Sequence, residues 1–363
     1  MCRPVHWLWA FPHGLFCDDL LMNPPEAPAA PCRVSIIIKA LNEERHIVAA
    51  VESALAAVQT VGGEVVLADS CSSDATVALA SSYPICIVQL AHTHERCCGV
   101  GPQLGYQHSS GEFVYILDGD MEMVPSFLPA ALAFMQAHSE VAGVGGRVVE
   151  MNTSGLEYLA RVERGQSHMQ AGAVDRLDMG GLYQRSAIEQ TGYFSDRNLH
   201  SYEEFDLAVR LRARGWKLWR IAMDSVQHHG HDAPPYQLLL HRWRSGYICG
   251  LGEVLRAAVG QPHLGLVVTS VRELRLYVAV LMWWLVLLVS WAVPMSWLAN
   301  LGLFLATAAT PFVLMAWRKR SAEKAVFSVV SWCFNAAGLV RGLLGPRRPA
   351  RESVASVQLR NMV

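Results

Sequence analysis

The sequence predicts an α/β fold on a mainly parallel central sheet, followed by C-terminal transmembrane helices. Three observations carry this expectation. Between residues 33 and 232, short apolar runs alternate with segments of helical period. From Leu276 to Trp317, 42 residues pass without an Asp, Glu, Lys, Arg or His. Carboxylates gather where apolar runs end, at Asp69 and at Asp118–Asp120, the positions at which open α/β sheets receive ligands.

Composition sets the outer bounds. The AVILMFWYC set makes up 52% of the 363 residues and charged residues only 17%. With a mean hydropathy of +0.23, these values exclude a disordered chain and argue against a wholly soluble one. A net charge of −1 leaves no basic footprint for nucleic acid. The nine cysteines have no regular spacing and no CxxC pair, so reduced, mostly buried thiols are expected rather than a disulfide framework or zinc site.

The elements follow in chain order. Residues 1–32 form an N-terminal extension whose Trp7, Trp9, Phe11 and Phe16 are interrupted by Pro4 and Pro12. It is too short to span a bilayer and is not a clean signal peptide, and Met22, before a Pro/Ala-rich stretch, is an alternative start. Val34–Ile38 reads as a buried strand, and Glu43–Leu55 as a helix with acidic residues first. Glu64–Ala68 is the next strand, ending in the turn-and-cap cluster Asp69-Ser70-Cys71-Ser72-Ser73-Asp74. Ile85–Leu90 and Phe113–Leu117 are further strands.

Three clusters carry candidate chemistry. Asp118-Gly119-Asp120 ends a hydrophobic strand, and residues two apart share a strand face, so both carboxylates can address one hard cation. Glu203 and Glu204 open a helix whose Leu207, Ala208 and Leu211 suit burial and whose Asp206 and Arg210 can pair. One of the two glutamates is a candidate general base. Among His228, His229 and His231 one could complete a metal's coordination; spacing does not choose between them, and His231 stands as the candidate.

The uncharged stretch would span about 63 Å as one helix, twice a bilayer core of about 30 Å. Two passes, at about 275–293 and 297–317, fit better, with Pro294-Met295-Ser296 as the break. Arg272 and Arg275 before the pair, and Arg318, Lys319 and Arg320 after it, place both outer ends in the cytoplasm. The expected organisation is an extension over 1–32, an α/β domain over 33–232 and an amphipathic interfacial segment over 233–274. A two-helix hairpin over 275–320 follows, then an interfacial helix and tail over 321–363.

Five segments in order then resemble family 2 glycosyltransferases: VSIIIKALNEE (34–44), EVVLADSCSSDAT (64–76), GYQHSSGEFVYILDGD (105–120), Gly180–Phe194 and EEFDLAVRLRARG (203–215). The resemblance implies a GT-A nucleotide-sugar-binding fold and inverting transfer from a nucleoside-diphosphate sugar, helped by Mg²⁺ or Mn²⁺. It implies that Ala40, Asn42 and Glu43 line the nucleotide pocket and that Asp69 contacts the nucleobase. Asp118 would face ribose or metal, Asp120 the metal, and Gly180 and Gly181 the donor sugar or acceptor. Glu204 occupies the place of the catalytic base, often Asp in that family, with Glu203 beside it.

Two departures stand out. Gly101-Pro102-Gln103-Leu104 replaces the family's Ala-Arg-Asn, so a diphosphate contact must come from elsewhere. His241-Arg242-Trp243 resembles the Arg-Trp of processive synthases, but Leu239 sits where their Gln belongs. The leading expectation is a membrane enzyme, in a bacterial inner or plasma membrane with its catalytic domain cytoplasmic. It would glycosylate a lipid-linked acceptor during surface polysaccharide or glycolipid assembly. The alternatives are transfer onto polyprenyl phosphate, with Arg185, Arg242 and Arg244 as candidates for the phosphate, and a nucleotidyltransferase.

Overall fold

A computed structural model of the chain describes residues 33–152, 169–178, 180–230 and 234–361. The expectations for residues 1–32 and for His231 lie outside the described residues.

Four strands form the parallel heart of the sheet: β1 (Val34–Ala40), β2 (Gly63–Asp69), β3 (Cys86–Leu90) and β4 (Phe113–Asp118). Helices cover both faces, which is why Ile36, Ile37 and Ile38 follow one another in β1 instead of alternating with polar residues. Val34, Ile36 and Ile38 enter one core with Ile47, Val51 and Ala54 of α1 (Ile47–Gln59). Ile37 enters the other, with Val100 and Leu104 of α3 (Val100–Gln107). A short α2 (Thr76–Ala80) follows β2.

Beyond β4 the sheet turns mixed. β5 (Met121–Met123) and α4 (Phe127–Ala137) lead to β6 (Val141–Glu150), and β7 (Gly172–Val174) and β8 (Gly181–Gln184) follow. Then come α5 (Arg185–Thr191), α6 (Glu203–Arg212) and β9 (Lys217–His228). β8 inserts antiparallel between β4 and β6, and β6 runs parallel to β9. The expected mainly parallel central sheet is present, with β8 as an antiparallel insertion and β6 and β9 as a further parallel pair beyond it.

Two boundaries differ from expectation for local reasons. α1 starts at Ile47 rather than Glu43, because the loop before it is stitched to the loop after β2. The Asn42 N–H donates to Ser72 Oγ at 2.9 Å, Glu43 N–H to Thr76 Oγ1 at 2.8 Å and Glu44 N–H to Asp74 at 3.1 Å. The segment expected to lie at the interface breaks at Gly246, whose φ of +79° suits glycine. It forms α7 (Pro235–Arg244), a 3₁₀ turn over Tyr247–Cys249 and α8 (Gly250–Ala258).

After α9 (Leu264–Ser270) come three helices long and apolar enough to cross a membrane: α10 (Glu273–Ser290), α11 (Trp297–Lys319) and α12 (Ala322–Leu344). The break between α10 and α11 falls at the expected Pro294-Met295-Ser296, closed by Asn300 Nδ2 donating to the Val293 carbonyl at 3.2 Å. In α12 33% of the apolar window is buried, against 6% in α11. Its glycines lie flush against the Tyr247–Cys249 turn before α8, since a Cβ on Gly338 would stand 2.5 Å from the Ile248 carbonyl.

The tail then returns to the sheet. Arg347 pairs with Asp196 at 2.9 Å, and the Arg348 N–H donates to Asn198 Oδ1 at 2.8 Å. Finally β10 (Ser356–Arg360) adds antiparallel to β3. An isolated five-residue tail strand carries little periodic signal, and the sequence reading did not include it.

Candidate functional site

The site lies along the C-terminal ends of β1, β2 and β4, as the sequence positions imply. Three groups of side chains meet there.

The first surrounds Asp69, at the end of β2 beside its Cα partner Ala40. Asp69 is fully buried, and its Oδ2 accepts from the Ser72 N–H at 2.9 Å and from Gln89 Nε2 at 2.8 Å. Its Oδ1 is buried with no hydrogen-bond partner, an arrangement that costs free energy unless a donor arrives. Asn42, in the left-handed region at φ +59°, caps the opposite loop by accepting from the Ser73 N–H. Arg96, which belongs to none of the sequence motifs, donates to the Ser70 carbonyl at 2.7 Å and to that of Cys71. It holds the loop that carries these groups.

The second group is acidic. β4 ends at Asp118, so Asp118 and Asp120 are not both on a continuing strand. Gly119 makes the turn against Glu43, since a Cβ on it would stand 2.8 Å from Glu43 Cγ. Burial and then the charges of Asp120 and Asp118 push the Glu43 carboxyl up to about 7. Asp118 is also raised, burial outweighing the opposing pull of Lys39. Of the histidines, His228 reaches this group: its Nε2 is 3.4 Å from Asp120 Oδ2 and its Nδ1 2.6 Å from Glu150 Oε1. His229 turns away to Glu122 at 2.8 Å and stacks on His46.

The third group is the glutamate pair, delivered by packing. Leu207, Ala208 and Leu211 seat α6 on the same core as Ile37 and Ile116. Arg210 fixes it there, with Nε 2.8 Å from Asp206 Oδ2 and further donations to the Thr191 hydroxyl and the Tyr193 and Phe194 carbonyls. The N-terminus of α6 then places Glu203 and Glu204 beside a small pocket lined by Ile116, Tyr183, Phe194 and Leu207. Burial, then the neighbouring Glu203 charge, hold the Glu204 carboxyl well above the ordinary range.

Lys39 joins the second and third groups. Its Nζ lies 3.0 Å from Asp118 Oδ1, 3.0 Å from Glu203 Oε1 and 3.7 Å from Glu204 Oε1. Burial opposes its charge, but the three carboxylates outweigh that and hold its pKa well above the usual lysine value. A lone lysine ending a buried apolar strand was the signal available in the sequence.

Other expected residues sit differently. Gly180, at φ +97°, and Gly181, opposite Ile116 at the start of β8, lie against β4, where the Tyr115 hydroxyl occupies the space a Gly180 Cβ would need. Gln103, in place of the family's arginine motif, accepts from the Phe194 and Ser195 N–H groups. Arg185 stacks on Tyr106 and donates to Ser109 and to the Gly111 carbonyl at 2.5 Å, tying it to the fold. Among the described residues the cysteines are free thiols.

No three His, Cys, Asp or Glu side chains form a ready metal cage among the described residues. The crowding of Glu43, Asp118 and Asp120 nevertheless suits a hard cation completed by substrate phosphates.

Known proteins resemble the chain in sequence and in fold. Residues 35–191 match the model of glycosyl transferase family 2. Glucomannan 4-beta-mannosyltransferase 1 of Oryza sativa subsp. japonica is 26% identical over 146 residues, 37% of this chain and 28% of that protein. Succinoglycan biosynthesis protein ExoO of Rhizobium meliloti (strain 1021) is 38% identical over 108 residues, 30% of each chain. The chain thus spans less than a third of the length of these relatives. Among solved structures, the mannosyltransferase PcManGT from Pyrobaculum calidifontis, in complex with GDP-Man and Mn²⁺, superposes with a TM-score of 0.55 at 18% identity. The match covers 88% of this chain and 91% of that one, and it is a likeness of fold. The architecture is that of the GT-A glycosyltransferases. The family resemblance in sequence is confined to residues 35–191.

Proposed function

We propose that the chain is a membrane-bound inverting glycosyltransferase that moves a sugar from a nucleoside-diphosphate donor to a lipid-linked acceptor in surface polysaccharide or glycolipid assembly. The observation that carries this reading is the convergence of Asp118 and the Glu203–Glu204 pair on Lys39. It puts donor-side carboxylates and a candidate base within one side chain's reach.

In this reading the orphan Oδ1 of Asp69 accepts an N–H of the nucleobase, and the loops at Asn42 and Ser72 border the nucleoside. Asp118 and Asp120 would hold a divalent ion, with Glu43 and His228 beside them. A bound Mg²⁺ or Mn²⁺ supplies Lewis-acid neutralisation of the departing diphosphate. Glu204 accepts the proton of the acceptor hydroxyl as that oxygen attacks the anomeric carbon from the face opposite the diphosphate. Its raised pKa makes it a better proton acceptor than an ordinary carboxylate.

The α10–α11 hairpin anchors the enzyme, with α7 and α12 at the membrane surface and the catalytic half cytoplasmic. α7 supports this with exposed Tyr236 and Leu240 beside Arg242 and Arg244. A lipid-linked acceptor suits a site whose catalytic half is held at the bilayer.

The test is transfer of radiolabel from UDP- or GDP-sugars into the organic phase of a membrane lipid extract, with Mn²⁺ or Mg²⁺. Wild type should transfer, while D120A and E204Q should lose at least about 100-fold. Label recovered only in water-soluble products would contradict the lipid acceptor.

A further inference from the structure

A cation stands where the donor side of the cleft meets the glutamate pair, and strand register puts it there. Lys39 is the Cα partner of Asp118 across β1 and β4, and strand alternation sets it on the face of Ile37, against which α6 packs. An ammonium is a compact charge with three donors. Two are directed at Asp118 and Glu203, each at 3.0 Å. Glu204, at 3.7 Å, is beyond hydrogen-bond distance, and its side chain is the more exposed of the pair, 20% against 8%.

We infer that Lys39 is a positioning residue that divides the work of the two glutamates. It ties Glu203 to Asp118, and so leaves Glu204 as the carboxylate that takes the acceptor proton. This rests on the glycosyltransferase reading above. The acceptor O–H proton passes to a Glu204 oxygen as the new C–O bond forms at the anomeric carbon. The bond to the diphosphate breaks, and its electron pair leaves with the diphosphate. Lys39 neither gives nor takes a proton in this step. Without it, Glu203 is released beside Glu204, two like charges at one helix N-terminus, and Glu204 loses its fixed aim.

The experiment compares wild type, K39M, K39R, E203Q and K39M/E203Q. It measures kcat and KM with whichever UDP- or GDP-sugar wild type turns over, and Kd for UDP and GDP with Mn²⁺. K39M should lose about 100-fold in kcat, with KM and nucleotide Kd within about threefold. K39R should recover at least about tenfold of that loss, because a guanidinium can still bridge the two carboxylates. In the E203Q background K39M should cost no more than about threefold, since the group it acts through is already altered.

Multiplying losses in the double variant, or a K39M whose nucleotide Kd worsens as much as its kcat falls, would overturn the inference. Lys39 would then act on the donor directly. Melting curves in the same detergent identify a K39M that fails to fold, in which case K39R against wild type and E203Q decides the question by the same KM and kcat split. A wild type that binds nucleotide but turns over no donor overturns the glycosyltransferase reading, and the inference with it. That outcome is visible before any variant is compared.

Discussion

Val88 and Gln358 are backbone partners across β3 and β10, one before the apolar helices and the other after them. Both ends of the helical segment are therefore fixed to one sheet, on one side of any membrane. A chain that leaves the sheet after β9 and rejoins it at β10 crosses an even number of times. Three helices are long enough to cross; the proposed α10–α11 hairpin satisfies that count, and we propose that α12, the most buried of the three, stays on the side of α8.

That parity predicts a labelling pattern. In sealed right-side-out vesicles, a single cysteine placed at Met295 in a background stripped of reactive thiols should react with a membrane-impermeant maleimide. Cysteines placed at Ser321 and Glu352 should react only after permeabilisation. Reaction at Ser321 and not at Met295 would reverse the orientation; opposite behaviour of Ser321 and Glu352 would mean that α12 crosses.

Asp69 offers a donor-binding test with no catalytic component. Its Oδ2 bonds are made within the protein, while Oδ1 awaits a donor. D69N, nearly the same shape, should weaken UDP or GDP binding about 10- to 100-fold by titration calorimetry, while leaving the melting temperature within a few degrees. Unchanged affinity would remove Asp69 from the nucleotide pocket.

The environment of Glu204 fixes a pH dependence. A base works deprotonated, so activity is lost as pH falls through its pKa. Burial and the Glu203 charge raise that pKa, so the acidic limb of the kcat profile should sit above the ordinary glutamate range of about 4.5. In E203Q, with one repelling charge removed, the limb should move to lower pH. An acidic limb at or below about pH 4.5 in wild type would contradict the assignment.

Arg210 tests how α6 is held. Its guanidinium is buried, pairs with Asp206 and donates to the Thr191, Tyr193 and Phe194 groups. Removing one partner of such a network leaves a buried charge uncompensated, which costs about 3–5 kcal/mol. R210A should lower stability by that order in denaturant titrations in detergent, and R210A/D206N should recover part of it. A loss below about 1 kcal/mol would show that packing alone seats the helix.

Much of this was legible in the sequence because it is local. Short apolar runs marked β1, β2 and β4, a charge-free stretch marked α10 and α11, and the residues that end strands marked Asp69 and Asp118. The rest depends on contacts far apart in the chain. Lys39 meets Glu203 across 164 residues, a distance no periodicity reports. β10 is a short edge strand whose partner lies before the long apolar helices, and the insertion of β8 makes the sheet mixed without leaving a pattern of its own. The helix start at Ile47 was missed because acidic residues usually favour a helix N-terminus. Here the hydrogen bonds between the Asn42 and Ser72 loops held Glu43 and Glu44 out of it.

The most direct measurement is release of nucleoside diphosphate from UDP- and GDP-sugars by the detergent-purified protein, with Mn²⁺ or with EDTA, for wild type and E204Q. The account predicts metal-dependent release from one donor class, lost in E204Q by at least about 100-fold while nucleotide binding is retained. Release that persists in E204Q at the wild-type rate would contradict it.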